Sequence, residues 1–443
     1  MLLSLLACGQ PTPTEEPPTW NEDVAPIVAE HCGSCHVSGG IAPFPLESYA
    51  DASSMASSMV AAVEAGTMPP WGAETTDECE PRYGFMDDPR LSDEEKATLA
   101  AWADGGAPEG SGPLAELPAS PDLSLADPDQ VLAPDTAYVT SGDSDEFRCF
   151  VLDPGLNEDA WLTGLQVEAG NEAVVHHVLA FADPDRASEK LVGSDGTYDC
   201  FGGPGFNDTA LLGAWAPGAF PFQAPDTTGI PVAAGSLIVM QIHYHPAGEV
   251  ADPDVTSLEV RWADAPPARD AVLALLGNAS SRGEGLVRGP DDSTMQPEFV
   301  IPANVAGHTE TIELDVEEGD GPYDVFAAGT HMHYIGTDML VEVDHASPTA
   351  DEPATECMVQ TPHWDFNWQR AYRYDAPLDS LPQVREGDTI RLRCTYDNTM
   401  DNPGTRAALA DAGLDAPIDV YLGESTLDEM CLGVFGVVLP PAE

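Results

Sequence analysis

Basic residues are what this chain has least of: Lys and Arg together number 16 against 76 Asp and Glu in 443 residues, for a formal charge of -60. Phosphate backbones are held by Lys and Arg, so DNA and RNA are excluded as partners. The acids are scattered through loops rather than gathered in one block, and no EF-hand loop pattern organises them, so they read as a solvated surface suited to salty surroundings. Long apolar runs are missing too. The only continuous apolar leader, Met1 to Ala7, is far short of the ~20 residues that a membrane-spanning helix needs. A phosphate cradle is also absent, because no Lys-Ser/Thr follows the loop Gly202-Gly203-Pro204-Gly205.

What is present points to β structure. The 41 prolines and 40 glycines interrupt the chain too often for long helices. Short alternating segments such as Thr389-Ile390-Arg391-Leu392-Arg393-Cys394-Thr395-Tyr396 suggest β-sandwiches. The length leaves room for about three domains at ~150 residues each. Nine cysteines, several in strand-like segments, fit an oxidising compartment in which disulfides persist.

One part reads as helical. His31-Cys32-Gly33-Ser34-Cys35-His36 contains a C-x-x-C-H arrangement: two thiols at this spacing can form thioethers to the two haem vinyls, leaving His36 beneath the iron. A zinc or redox C-x-x-C leaves the adjoining His unexplained. Downstream stand Gly66-Thr67-Met68-Pro69-Pro70-Trp71 and then Ser92 and Glu95, a capping box ahead of a helix carrying Leu99 and Trp102 and ended by Gly105-Gly106. From about Pro18 to Glu109 this resembles the small cytochromes c. The resemblance implies a haem c bound through Cys32 and Cys35, with His36 and Met68 as axial ligands. Residues Gly105 to Asp129, rich in Pro, Ala, Gly and Ser, have the composition of a linker.

Three histidine clusters follow. In Val174-Val175-His176-His177-Val178-Leu179-Ala180-Phe181 two adjacent histidines sit in an apolar run; adjacent strand residues face opposite ways, so both reach one metal only where the strand is kinked or ends. Val239-Met240-Gln241-Ile242-His243-Tyr244-His245 supplies a strand with His243 and His245 on one face. The apolar run Tyr323 to Ala328 leads into Gly329-Thr330-His331-Met332-His333-Tyr334-Ile335-Gly336, where His331 and His333 share a face and are placed to hold one ion. Near the end comes Gly423-Glu424-Ser425-Thr426-Leu427-Asp428-Glu429-Met430-Cys431. His245, His308, His345 and His363 read as structural or surface residues, and Trp364-Asp365-Phe366-Asn367-Trp368 reads as a core strand.

In order, His-His, Gln-x-His-Tyr, His-x-His and Glu-Met-Cys resemble the type II copper, ascorbate-dependent monooxygenases, the group of peptidylglycine and dopamine β-hydroxylating enzymes, over about Asp135 to Leu439. The resemblance implies two copper ions, an electron-storing one on His176, His177 and His243 and an oxygen-binding one on His331, His333 and Met430. Imidazoles tolerate both copper oxidation states, whereas a soft thioether favours Cu(I). Neither cluster has an obvious carboxylate, which argues against a dizinc or di-iron hydrolase and leaves zinc the weaker alternative. The resemblance further implies a Cys394–Cys431 disulfide and two sandwich domains facing each other across an open cleft. Cys79, Cys149, Cys200 and Cys357 allow three pairings. The amidating members grip the substrate carboxylate with an Arg and a Tyr whose positions here are Gly329 and Val434, so amidation of glycine-extended peptides is not expected.

Leu5-Leu6-Ala7-Cys8 resembles a bacterial lipobox, with Cys8 as the acylated residue. The sequence thus leads us to expect an extracytoplasmic lipoprotein of the periplasm or outer membrane, held at the membrane by its lipid alone. The expected fold is multidomain, a small all-α cytochrome c domain followed by two antiparallel β-sandwich, jelly-roll-like copper domains. Its expected segments are a signal remnant and linker (1–18), a haem domain (19–109), a linker (110–134) and two copper domains (135–270 and 271–443). The expected activity is hydroxylation of a small-molecule substrate with O2, fed by an external electron donor through the haem; the alternative is a non-catalytic electron-transfer or copper-handling lipoprotein.

Overall fold

The computed structural model describes residues 17–441 apart from 39, 41, 122, 142–144, 208, 246–251, 279–284, 290–291, 293–296, 424 and 426. Cys8 and the first linker lie outside the described residues. The chain divides into two units, one of Met1–Trp71 with Pro89–Asp122, the other of Gly72–Asp88 with Leu123–Glu443.

In the first unit a π-helical turn, Trp20–Val24, runs into the helix Ala25–His31, and the helices Tyr49–Glu64 and Asp93–Asp104 follow after loops. Each longer helix starts at a capping box, Ser48 with Asp51 and Ser92 with Glu95, in which a hydroxyl and a carboxylate satisfy backbone N–H groups the first turn leaves unbonded. Trp102 is fully buried, and its ring lies 6.1 Å from that of Trp20.

The expected fold class is not what the chain forms. Strands hold 34% of the described residues and helices 14%, so the described chain is mostly β, and its few short helices, set among loops, do not make an all-α cytochrome c domain. Part of the reason is that Gly72–Asp88, inside the stretch expected to be the haem domain, is claimed by the β unit. Cys79 is bonded to Cys357, Arg82 pairs with Glu356 at 2.5 Å, Thr76 donates to Gln360 at 2.6 Å and Phe85 stacks on Tyr374 at 5.3 Å.

Nor do the strands separate into two sandwiches. Arg269–Asn278 pairs along its length with Cys431–Val438, which in turn pairs with Tyr323–His331. At Leu273↔Leu211 the same strand meets Ala210–Trp215, which pairs with Val175–Asp183. Hydrogen bonds therefore carry one 15-stranded sheet past residue 271, and the strands bearing His176 and His177, His243, and His331 all belong to it. A four-stranded antiparallel sheet holds Ala306–Asp315, Thr389–Asp397, Gly336–Asp344 and Thr355–Thr361.

The remaining cysteines pair as Cys149–Cys200 and Cys394–Cys431. Three disulfides fit an oxidising, extracytoplasmic environment. Among the described residues no helix is long and apolar enough to cross a membrane.

Beside the Cys79–Cys357 bridge, the wholly buried His345 side chain lies 3.0 Å from both Glu356 and Asp388. Burial by itself would lower its pKa, but the bonds to these two carboxylates outweigh it and raise the value above that of a free histidine. A raised folded-state pKa gives stability that is complete below the unfolded value of ~6.5 and is lost as pH climbs through the folded one. The melting-temperature advantage of the unchanged protein over His345→Gln is thus expected to be largest below about pH 6.5 and to shrink above it, as scanning calorimetry across pH will show.

Candidate metal centres

The first cluster exists because a β ladder slips by one residue. Val175–Asp183 and Leu237–Tyr244 pair antiparallel, with Val175 opposite Tyr244 and His177 opposite His243. Two steps on one strand answer a single step on the other, so His176 is the extra residue of a bulge. A bulge re-aims side chains that would otherwise alternate. The two adjacent imidazoles therefore converge: His176 Nδ1 lies 3.2 Å from His177 Nδ1, which lies 3.3 Å from His243 Nδ1. Two nitrogens each ~2.0 Å from one ion at roughly tetrahedral angles are about 3.3 Å apart, so this donor set fits an ion. Phe147 covers the other face of the His243 ring at 4.2 Å, nearly parallel.

Metals bind neutral imidazole, and the surroundings disfavour the charged form of His176 and His177. Burial, then the positive charge that His243 could carry, brings His176 down to about 4. His177 is held well below the ordinary histidine value, by burial and then by His243, His176, His331 and His333.

Asp145 fixes the orientation of the third ring. His243 Nε2–H donates to its Oδ1 at 2.8 Å, which leaves the Nδ1 lone pair facing the cluster. His245 contacts the same oxygen at 3.1 Å and does not join the three convergent nitrogens. Burial would raise the Asp145 pKa, but its bonds to His243 and His245 hold it well below the usual carboxylate range. Gln241 does not face the cluster either; its amide donates to the carbonyls of Cys200 and Gly203.

His331 ends the strand Tyr323–His331, and His333 follows it with ring centroids 5.4 Å apart. His331 Nδ1–H donates to Gln369 Oε1 at 2.7 Å and His333 Nδ1–H to the Asp428 carbonyl at 2.9 Å. Both rings thus present a bare Nε2. Burial, followed by the neighbouring His333, brings His331 down to about 3, and burial also lowers His333.

Met430 is buried, 8% exposed, on the segment running alongside this pair. The ladder ends with His331 paired to Leu432, two residues beyond Met430. The buried carboxylate of Glu429 accepts the backbone N–H of His333 at 2.7 Å, of Ile335 at 2.9 Å and of Met430 itself at 3.2 Å, tying the segment to the histidine strand. Cys394–Cys431 fastens it from the other side, and the Tyr396 hydroxyl donates to the Met430 carbonyl at 2.7 Å.

The aromatic run Trp364 to Trp368 is not a strand but a series of turns. Trp364 Nε1–H donates to the His333 carbonyl at 3.0 Å, and Phe366 lies against His176. Sequence reading missed this loop, Gln369 and Asp145 as parts of the site. The aromatic density was a signal for the loop; nothing distinguishes Asp145 among so many acids.

In the first unit the C-x-x-C-H motif forms the turn after the helix Ala25–His31, with the His36 N–H bonded to the Cys32 carbonyl at 2.9 Å. Cys32 and Cys35 are not disulfide-bonded. Burial and then the charge of Cys35 push the Cys32 thiol up to about 12. His36 Nδ1–H donates to the Phe44 carbonyl at 2.9 Å, leaving Nε2 for an axial bond. Met68 is 37% exposed, four residues beyond the helix Tyr49–Glu64. His31 is spoken for by Pro89 and Glu95.

No family model matches the chain, and no curated protein matches it either. Among solved structures, the major capsid protein P2 from Bacteriophage PM2 aligns over 70% of this chain and 97% of its own at 9% identity, with a TM-score of 0.24. An allantoicase aligns over 59% of this chain and 78% of its own at 12% identity and a TM-score of 0.16. The CBM22-1-CBM22-2 tandem domain of Paenibacillus barcinonensis Xyn10C does so over 70% and 93%, at 11% identity and a TM-score of 0.17. Likenesses this slight bear neither on the fold nor on the centres.

Removing a partner that orients a ligand typically costs roughly 10- to 100-fold in metal affinity. With Cu(II) added as a probe ion, Asp145→Asn is expected to weaken binding at the first cluster by that factor and to leave the second unchanged, which a competition titration with a chromogenic chelator will resolve.

Proposed function

We propose that this chain is a copper-dependent monooxygenase that hydroxylates a C–H bond of a small organic substrate, with electrons entering through a haem c on Cys32 and Cys35. The observation that supports it most is the convergence of three imidazole Nδ1 atoms at separations of 3.2 and 3.3 Å. Three lone pairs aimed at one point repel each other unless a cation or shared protons lie between them, and depressed pKa values disfavour protons.

The donor types favour copper over a hard cation. The first centre offers imidazoles only; the second offers two imidazoles and the Met430 thioether, a soft donor that suits Cu(I). Bound copper would supply the reducing equivalents and the dioxygen chemistry of the hydroxylation. The chain's own groups prepare for it: Asp145, Gln369 and the Asp428 carbonyl each fix a histidine tautomer, and Glu429 holds the Met430 segment beside His333. His36, with its Nδ1–H given to Phe44, would bind the haem iron from one side. Anchoring through a lipid on Cys8 belongs to the same reading.

A glycine-extended peptide held by its carboxylate, as in the amidating members, is not the substrate proposed. Gly329 and Val434, at the positions of the family's Arg and Tyr, are direct cross-strand partners. A Cβ at Gly329 would come within 2.9 Å of the Arg370 carbonyl and 3.0 Å of the Ala371 Cα, so no side chain fits there. The same pair supports a second reading, a non-catalytic electron-transfer or copper-handling protein. Oxygen consumption with a reductant, rising when a candidate substrate is added, separates the two.

Purified protein is expected to hold two copper ions and one haem per chain, by elemental analysis and visible spectroscopy. Met430→Ala should keep the first copper and lose hydroxylation by at least ~10²-fold, the scale of removing a group that acts at the reacting centre; activity retained in this variant would refute the assignment. Cys32→Ala is expected to abolish normal haem attachment while copper content stays at two ions. Copper lost along with the haem would show instead that the metal centres depend on the first unit.

A further inference from the structure

One phenyl ring touches a ring of each histidine cluster. Phe366 stacks on His176 with centroids 5.1 Å apart and planes 22° from parallel, and its edge-on contact with His333 spans 6.1 Å. Together those contacts cap the separation of the His176 and His333 rings at about 11 Å. Tyr334 supports the phenyl at 4.2 Å.

The loop carrying Phe366 is fastened to the second centre by three hydrogen bonds, and beyond Phe366 its Arg370 also donates to the Gly218 carbonyl at 3.0 Å. Trp364 donates to the His333 carbonyl at 3.0 Å, its backbone N–H bonds the Thr337 carbonyl at 3.0 Å, and Gln369 bonds His331 at 2.7 Å. The Gln369 amide also donates to the Phe366 carbonyl at 2.9 Å, so the residue that orients His331 also fixes the backbone that presents the phenyl. Its contact with the first cluster is the apolar Phe366 ring on His176. An apolar group held by polar anchors on one side and pressed on a ligand ring on the other is built as a spacer.

We propose that Phe366 is a positioning residue that keeps the two metal centres apart as independent one-ion sites, acting through the rings of His176 and His333. The inference rests on the reading of both clusters as copper centres and goes beyond it by naming what sets their separation. Two three-ligand centres free to approach would share one exogenous ligand and act as a single pair; the phenyl touching both prevents that. Truncating a packed aromatic leaves a void into which its surroundings partly relax, so Phe366→Ala lets the two clusters draw together. The ligands and their tautomer-fixing partners are untouched by this change.

The test loads full-length protein with Cu(II) and compares electron paramagnetic resonance intensity with total copper. In the unchanged protein all copper is expected to be visible as two uncoupled ions. Phe366→Ala is expected to retain both ions while at least half of the visible signal is lost to coupling, and Phe366→Leu, which refills the space, to restore it. Two ions with full, unbroadened intensity in Phe366→Ala would overturn the role of Phe366 and leave the two-centre reading standing. Fewer than two ions in the unchanged protein overturns that reading and this inference with it.

Discussion

One residue inserted in a β ladder carries the first centre. Without the bulge at His176, the pleat would send His176 and His177 to opposite faces of the sheet, and one of them could never meet His243. With it, three Nδ1 atoms converge, and Asp145 decides which nitrogen of His243 is the free one. The price is one irregular step in an otherwise regular pairing between two buried strands.

The second centre is assembled differently. Its histidines stand at and just past the end of a strand, and each gives its Nδ1 proton away, to Gln369 or to the Asp428 carbonyl. The first cluster thus converges through Nδ1, set by the bulge and by the bond of His243 to Asp145, and the second pair presents Nε2, because its Nδ1–H groups are given away. Glu429 is the keystone on the Met430 side. Its carboxylate is 1% exposed, and burial pushes its pKa up to about 8 despite the backbone N–H groups it accepts. A buried carboxyl meeting several amides binds two strand ends together more rigidly than apolar packing alone.

Some of this was legible in the chain. His331 and His333 read as a same-face pair from spacing alone, the adjacent His176 and His177 raised the need for a kink, and Ser92 with Glu95 announced a helix start that the first unit forms. Other parts were not. Gly72–Asp88 looked like the interior of a haem domain because motifs on both sides of it did, yet a disulfide and an Arg82 ion pair attach it to the β unit. The run Trp364 to Trp368 alternates like a strand, yet it turns, because Asn367 and Trp368 bond back to Asp365.

By itself the sequence determined which donor atoms exist and how far apart they lie along the chain: five imidazoles, one thioether and a C-x-x-C-H turn, in a strongly acidic polymer with cysteines enough for three bridges. Local chemistry of that kind depends on residue type and short spacing, which a string of letters preserves. The tertiary structure alone decided how Cys79, Cys149, Cys200 and Cys357 pair, that one hydrogen-bonded sheet replaces two sandwiches, and that a phenyl ring touches both histidine clusters. Those outcomes rest on contacts between residues tens to hundreds of positions apart, where many pairings satisfy the same pattern and only packing and hydrogen bonding choose among them.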